Sequence, residues 1–113
     1  MKKYQTIKKK EEFTKIIQAR QYVTDKNLTF YYQPKALADN RVGLSVTTKL
    51  GTAVQRNRAK RQLRMMVAEY FDWQERFDTV IIIRASFKES SFEDNKKGFE
   101  KCYKKVKMLT EKD

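Results

Sequence analysis

The chain has 113 residues, a single-domain length with room for one modest core. Its hydrophobic fraction of 40%, with only three glycines and one proline, argues against a disordered chain. A net charge of +12 points to a polyanionic partner, either a nucleic acid or an anionic membrane surface.

Several classes of function are disfavoured by what the composition lacks. The longest aliphatic run, residues 80–83, is far shorter than the roughly 20 residues that span a membrane, and the N-terminus lacks the apolar segment of a signal peptide. We therefore expect no membrane partner, and the presence of a single cysteine makes cytoplasmic residence the default expectation. With no histidine and one cysteine, Cys102, the chain has no internal disulfide and no imidazole to activate a nucleophile.

The chain begins with a basic arm and a short helix. Residues 1–8 are lysine-rich and predict a mobile basic arm. Over residues 9–20, Phe13, Ile16 and Ile17 fall at i, i+3 and i+4, which predicts a short amphipathic helix. Phe13 and Ile17 lie one turn apart, so they either pack in the core or line a groove.

Two alternating segments follow and predict strands at residues 28–33 and 41–48; Pro34 ends the first strand, and residues 35–40 form the connection. The short link between them predicts an antiparallel pair with one apolar and one polar face. Tyr31 falls on the polar face, where it is either an ordinary surface tyrosine or a platform on which a nucleic-acid base stacks. The predicted apolar face consists of Leu28, Phe30, Tyr32, Val42, Leu44 and Val46.

A strongly basic helix comes next, opened by a turn at Gly51. From Lys49 to Arg64 there are six positive and no negative side chains, which carry half of the net +12. At 100° per residue the helix has two faces. The predicted apolar face is Ala59, Leu63, Met66, Val67 and Tyr70, and the opposite face is Asn57, Arg58, Lys60, Arg61 and Arg64. Arg56 falls among the apolar positions.

The missing acids decide between two interpretations of this helix. A solvated basic face is the usual fate of such a run, but such a face normally has acidic partners at i±4. Their absence favours binding of a phosphate backbone. Further along the chain, Glu69, Asp72, Glu75 and Asp78 drift around the end of the helix, which predicts a solvated face rather than a metal site.

The last elements are a buried strand and a lysine-rich helix. Residues 79–85 are apolar on both faces, which is typical of a central strand covered on both sides. Ser91 and Asp94 have the spacing of a capping box at the start of the last helix. Its predicted apolar stripe is Phe92, Phe99, Cys102, Tyr103, Val106 and Leu109. Cys102 is therefore expected to be buried and structural. The order α-β-β-α-β-α predicts one α+β domain over residues 1–113, with helices packed on a single sheet.

Residues 41–64 resemble the signature of the protein subunit of bacterial ribonuclease P. The match comprises Arg-Val-Gly-Leu-Ser-Val at 41–46, Lys-Leu-Gly at 49–51, Ala-Val at 53–54 and Arg-Asn-Arg-x-Lys-Arg-x-x-Arg at 56–64. The rest of the chain agrees more loosely in layout. Of the fold, the resemblance implies an α/β two-layer sandwich in the order α-β-β-(β)-α-β-α, with a mixed central sheet and an unusual left-handed β-α-β crossover.

The resemblance also implies a function. In that family a catalytic RNA, acting with magnesium, removes the 5′ leader of precursor tRNA, and the protein binds both the catalytic RNA and the leader without needing a protein partner. The positions implied to contact the catalytic RNA are Lys49, Arg56, Asn57, Arg58, Lys60, Arg61 and Arg64. The positions implied to line a leader-binding cleft are Phe13, Ile17 and Tyr31. No protein side chain is implied to be catalytic, and none is implied to bind metal.

Three residues depart from the family pattern. Ile17 stands where many members have an aromatic residue, Thr48 where a lysine is common, and Met65 where glutamate is common. At Ile17, stacking on the leader becomes plain apolar contact. A structural RNA-binding protein such as a ribosomal component is the alternative that charge and fold equally allow. A DNA-binding regulator is disfavoured, because the sequence lacks a helix-turn-helix pattern and a dimerisation signal.

Overall fold

The protein is represented by a computed structural model, which describes residues 5–7, 10–34, 41–70 and 77–111. The strands are β1 (Gln5–Thr6), β2 (Tyr22–Thr24), β3 (Leu28–Pro34), β4 (Arg41–Ser45) and β5 (Phe77–Ile83). The α-helices are α1 (Lys10–Gln18), α2 (Ala53–Tyr70) and α3 (Phe92–Glu111). Two short 3₁₀ helices, Thr48–Leu50 and Ala85–Glu89, precede α2 and α3. The α+β class and the mixed sheet are confirmed.

The sheet has the order β1-β4-β5-β3-β2, with β5 at its centre. β5 runs parallel to β4 and antiparallel to β3. The predicted antiparallel pairing of residues 28–33 with 41–48 is therefore wrong, because β5 lies between the two strands. β5 has apolar side chains on both of its faces. Such a strand is buried on both sides when it lies at the centre of the sheet. β4, α2 and β5 form a parallel β-α-β unit, and its left-handed sense stays a prediction.

Residues 5–7 belong to the sheet, so for them the predicted mobile arm is wrong. β1 pairs in parallel with β4, and the backbone N–H of Ile7 donates to the carbonyl of Val42 at 3.0 Å. The Ile7 side chain is buried and packs with Ile16 and Val80. This apolar burial stabilises the pairing of residues 5–7 with the sheet. Residues 1–4 and 8 of the predicted arm lie outside the described residues. β2, with three residues, is too short for an alternating pattern to reveal it.

The two faces of the sheet carry separate apolar clusters. The larger cluster joins α2 and α3 to one face, where Phe30, Leu63 and Phe99 are fully buried. The smaller one joins α1 to the opposite face through Ile16 and Val80. α1 thus covers part of the face that the helical layer of α2 and α3 leaves open. β5 contributes to both clusters, as its apolar pattern predicts.

The helices begin and end where local chemistry permits. α1 stops at Gln18, and Arg20 follows in the left-handed region with φ of 58°. α2 is described as far as Tyr70, and the end that the sequence predicts for it, at about Phe71 or Trp73, lies outside the described residues. At the start of α3 the Ser91 hydroxyl accepts the backbone N–H of Asp94 at 3.1 Å, which confirms the cap expected there. β5 occupies residues 77–83 rather than 79–85, because Ala85 already belongs to the second 3₁₀ helix.

Candidate nucleic-acid interface

The predicted RNA-binding residues form one surface, which we call the basic helix surface: Lys49, Arg56, Asn57, Arg58, Lys60, Arg61 and Arg64. Lys49 lies on the first 3₁₀ helix and the others on α2. Lys49, Arg58, Arg61 and Arg64 are exposed, as is Asn57. Arg56 and Lys60 are half-buried, and for Arg56 this agrees with its angular position beside the apolar stripe. The buried stripe is confirmed at Ala59, Leu63, Met66 and Val67.

A reciprocal cap fixes the first turn of α2. The backbone N–H of Thr52 donates to Gln55 Oε1 at 2.9 Å, and the backbone N–H of Gln55 donates to Thr52 Oγ1 at 3.2 Å. This is a capping box, which satisfies donors that the helix start would leave unpaired. The Thr-x-x-Gln spacing is visible in the sequence but escaped the sequence analysis. Gly51 precedes the cap with φ of 145°, a conformation that favours glycine.

The cations of the basic helix surface are not neutralised within the described part of the chain. None of the six forms an ion pair with a carboxylate of residues 5–7, 10–34, 41–70 or 77–111. On α3, by contrast, Lys104 pairs with Glu100 at 2.9 Å, and Lys96 pairs with Glu69 of α2 at 3.1 Å. The first turn of α2 also contains no acid, so the positive end of the helix dipole adds to the side-chain charge. This surface is suited to a polyanion.

The predicted leader residues also come together, on the opposite face of the sheet. Phe13 and Ile17 of α1 and Tyr31 of β3 all pack around the small cluster of Ile16 and Val80. We call this region the α1 cleft. All three side chains are half-buried, so they serve the core and still present surface to solvent. Of the two interpretations left open for Phe13 and Ile17, packing against the core is confirmed, and a groove that takes the leader stays a prediction.

A glycine in β4 makes room for α1. A Cβ at Gly43 would lie 2.7 Å from Cζ of Phe13, so the aromatic ring rests directly on the backbone of the strand. Any larger residue at this position would push Phe13 and the helix away from the sheet. Gly43 therefore sets the width of the α1 cleft.

Arg41 ties α1 to the sheet through two carboxylates. Its Nη1 donates to Glu12 Oε2 at 2.5 Å, and its Nη2 and Nε donate to Asp78 Oδ2 and Oδ1 at 2.7 and 3.3 Å. The hydrogen bonds to Asp78 and then to Glu12 raise the pKa of Arg41 above its ordinary value. Glu12 is the neighbour of Phe13, so this triad positions one wall of the α1 cleft. In the sequence Arg41 stands out only as part of a motif, because the triad joins residues that are far apart in the chain.

Tyr22 is a residue of this region that the sequence analysis missed. It lies on the edge strand β2 directly opposite Tyr31, and the two ring centroids are 5.3 Å apart with an interplanar angle of 41°. Opposite residues of an antiparallel pair share a face, so Tyr22 extends the aromatic surface of the α1 cleft. Its side chain is 54% exposed, enough to offer a ring face to a ligand.

The acidic residues near the end of α2 do not assemble a metal site in the described chain. No group of three or more carboxylate, cysteine or histidine side chains that is able to hold a metal ion occurs among the described residues. Asp78 is buried against Arg41, so the predicted solvated face is wrong at that position. Glu69 is engaged by Lys96, and its carboxylate raises the pKa of that lysine. Asp72 and Glu75 lie outside the described residues.

The one cysteine is buried, as the apolar stripe of α3 predicts. Cys102 is 1% exposed, and burial is the largest cause that raises the pKa of its thiol to about 11. A thiolate is therefore disfavoured, which argues against a nucleophilic or metal-binding role.

Fold and surfaces together define a class: a small, basic α+β protein that has a cationic helix on one side of its sheet, without carboxylate partners among the described residues, and an aromatic surface on the other. No helix of the described residues is long and apolar enough to span a membrane. A family model described as Ribonuclease P matches residues 1–107. The chain belongs to the ribonuclease P protein family. Membership makes it a protein component of an endoribonuclease of tRNA processing and implies partnership with ribonuclease P RNA.

Several relatives in this family match over almost their whole length. The ribonuclease P protein component of Bacillus velezensis is 36% identical over 110 residues, covering 96% of this chain and 94% of the relative. That of Lactococcus lactis subsp. lactis is 36% identical over 111 residues, covering 98% and 95%. That of Mesoplasma florum is 38% identical over 103 residues, covering 89% and 94%.

Solved structures agree with this assignment. The Staphylococcus aureus RNase P protein superposes with a TM-score of 0.80 at 26% identity, covering 89% of this chain and 94% of that one. The RNase P protein of Thermotoga maritima has a TM-score of 0.71 at 20% identity, covering 83% and 90%. The second similarity concerns the fold alone.

Proposed function

We propose that this protein binds ribonuclease P RNA through the basic helix surface and the 5′ leader of precursor tRNA through the α1 cleft, and thereby assists removal of the leader. The observation that carries the proposal is the set of six cations of the basic helix surface, none of which has a carboxylate partner within the described chain. Two large polyanions repel each other, and a protein of charge +12 offsets that repulsion.

Geometry supports a division of roles within the basic helix surface. The guanidinium groups of Arg58, Arg61 and Arg64 are exposed along α2, where each is able to form a bidentate contact with phosphate. Asn57 is exposed among them and offers both a donor and an acceptor to a base edge or a 2′-hydroxyl. Phosphate contacts thus supply affinity, and Asn57 supplies discrimination.

In the α1 cleft, an unpaired leader passes across Tyr31, with Tyr22 as a second stacking partner. The paired rings form a continuous aromatic surface at the edge of the sheet, and aromatic stacking suits a single strand of variable sequence. Ile17 contributes apolar contact on the α1 side of the cleft. Because β2 is an edge strand, Tyr22 lies where the leader enters or leaves.

In this proposal the chemistry belongs to the RNA partner. Cleavage of a phosphodiester with magnesium ions requires groups that position two metal ions and a water molecule, and folded RNA supplies phosphate oxygens for that purpose. The protein assembles the complex and recognises the substrate; magnesium enters with the RNA, and no protein side chain attacks phosphorus.

A cleavage assay tests the proposed function. Purified protein is added to bacterial ribonuclease P RNA and precursor tRNA at a magnesium concentration at which the RNA alone is slow. We expect cleavage at the mature 5′ end to accelerate, with the effect diminishing as salt is raised. Absence of stimulation would sink the proposal. Equal binding to ribosomal RNA fragments or duplex DNA would favour the alternatives of a ribosomal component or a DNA-binding regulator.

A further inference from the structure

A groove opens between α2, the second 3₁₀ helix and the start of α3, beside the basic helix surface. Its volume is about 300 Å³, which is at the lower end of the range for small-molecule sites. We propose that this α2–α3 groove holds one unstacked nucleotide of an RNA strand, with the base against the groove floor and the phosphate at its rim. This inference rests on the proposed RNA contact of α2. The basic helix surface contacts phosphate charge, whereas the groove recognises the base and the phosphate of one nucleotide.

The chemistry of the groove changes from floor to rim. Its floor contains Phe87 and Ala59, which are buried, and the half-buried Phe92. Its rim carries Arg58 of α2 and Lys88 of the second 3₁₀ helix, both exposed. An apolar floor with a cationic rim matches a ligand that is aromatic at one end and anionic at the other. A nucleotide is such a ligand, because it has an aromatic base and an anionic phosphate. An isolated phosphate has no group that would contact the aromatic floor.

Two carboxamides in the wall add hydrogen-bonding capacity. Gln62 is half-buried and Gln55 exposed, and both line the groove. The Oε1 of Gln55 accepts the backbone N–H of Thr52, while no described residue accepts a hydrogen bond from its amide nitrogen or from that of Gln62. Amide groups pair with base edges in single-stranded RNA recognition, so these two side chains are suited to the Watson–Crick edge of an extruded base.

The fold fixes the backbone segment that carries Lys88. Its Nζ lies 3.4 Å from the position that a Cβ on Gly51 would occupy, so the ammonium group reaches across to the turn that starts α2. The second 3₁₀ helix that carries Lys88 is fixed by a buried amide network. Asn95 Nδ2 donates to the carbonyl of Phe87 at 2.9 Å, and Asn27 Nδ2 donates to Asn95 Oδ1 at 2.8 Å. No carboxylate of the described chain pairs with Lys88.

An NMR titration tests the groove without any large RNA. Adenosine 5′-monophosphate is added to the ¹⁵N-labelled protein, and the side-chain amide signals of Gln55 and Gln62 are followed. We expect both to shift, with the affinity falling about tenfold in Lys88→Ala because a charge-assisted contact is lost. Lys101→Ala, which removes one exposed lysine of α3 outside the groove, is the matched control and should bind as the unchanged protein does.

Two further ligands separate the contributions of base and phosphate. Ribose 5-phosphate lacks the base and adenosine lacks the phosphate, so both should bind more weakly than the nucleotide. If ribose 5-phosphate binds as well as the nucleotide, or if Lys88→Ala has no effect, the nucleotide site is refuted. Both outcomes leave the proposed function intact, since neither involves ribonuclease P RNA.

Binding of ribonuclease P RNA then identifies the source of the nucleotide. Lys88→Ala should weaken RNA binding and flatten the slope of log K against log salt by about 0.7–0.9, the loss of one phosphate contact, whereas Lys101→Ala should not. If the free nucleotide binds but Lys88→Ala leaves RNA affinity and slope unchanged, the groove holds a small molecule rather than an RNA strand, which overturns the proposal.

Discussion

At the scale of single residues, the backbone conformation and the surroundings of Gly51 disfavour any other residue at that position. Its φ of 145° is strained for any side chain, and a Cβ would lie 1.8 Å from Oε1 of Gln55. We expect Gly51→Ala to lower the free energy of unfolding by about 1–3 kcal/mol, measured by urea denaturation. In a Gln55→Ala background the clash disappears, so the cost of Gly51→Ala should shrink there without vanishing. Equal stability of Gly51→Ala and the unchanged protein would contradict this account of the turn.

Tyr22 and Tyr31 make a second prediction at the residue scale. Each replacement by alanine should lower the preference for precursor over mature tRNA, roughly fivefold or more for Tyr31 if one stacked base is lost. Tyr22→Phe keeps the ring and should retain the preference. Met108→Ala, which removes another exposed apolar side chain, is the control. The measurement is the ratio of dissociation constants for the two tRNAs, and equal weakening of both would argue against a leader cleft.

At the scale of elements, the faces of α2 were predictable from the sequence and the pairing of strands was not. Helical periodicity places Leu63 and Val67 on the buried side without reference to the rest of the chain, because helical hydrogen bonds are local. Pairing of β3 with β5 joins residues about 50 positions apart, and alternation within β3 says nothing about its neighbour. The amphipathic pattern likewise revealed Phe13 and Ile17, whereas Tyr22 became visible only when β2 was placed beside β3.

The basic helix surface gives a prediction for α2 as an element. The double variant Arg58→Ala/Arg61→Ala should weaken binding to ribonuclease P RNA and flatten the salt slope by about 1.4–1.8, as expected for two lost phosphate contacts. The double variant Lys101→Ala/Lys105→Ala makes the same change in net charge on exposed positions of α3. Filter binding over a range of salt concentrations measures both. The same flattening in both variants would mean that net charge, and not this surface, governs binding.

Buried side-chain amides join the turn between β2 and β3 to α3 and to the second 3₁₀ helix. Asn95 is 1% exposed and both accepts from Asn27 and donates to the Phe87 carbonyl, so Asn95→Ala removes two buried hydrogen bonds. Asn27 Nδ2 keeps its bond to Ser90 Oγ, and the Phe87 carbonyl keeps the backbone N–H of Ser90. We expect a loss of about 1–3 kcal/mol in the free energy of unfolding. Lys97→Ala, an exposed change on the same helix, should stay within about 0.5 kcal/mol. Chemical denaturation of the two variants provides the comparison.

At the scale of the whole molecule, charge and core are organised independently. The cluster shared by α2, α3 and the sheet is apolar throughout, whereas the cations of the basic helix surface lie outside it, at exposed or half-buried positions that solvent and salt reach. The net charge was enough to predict a polyanionic partner. The motif at residues 41–64 then predicted the protein family. The α2–α3 groove had no counterpart in sequence, because its lining comes from segments about 30 residues apart that only the folded chain brings together.

The reactivity of the Cys102 thiol measures how often this core unfolds. Its thiol is buried between α3 and the sheet, and burial raises its pKa to about 11, so reaction with a thiol reagent requires the chain to unfold. At pH 8 we expect the folded protein to react at least about 1,000-fold more slowly than the protein in urea, in proportion to the unfolded fraction.

The same thiol gives the sign of a pH effect. Between its ordinary pKa of 9.0 and the folded value of about 11, the unfolded chain releases the proton first. The native state then binds more protons, so the free energy of unfolding falls as pH rises through this window, and the contribution of the thiol is fully present below it. The decline is compared with that of Cys102→Ala, which removes only the thiol and should be shallower. Parallel declines in the two proteins would show that the thiol is not shielded in the native state.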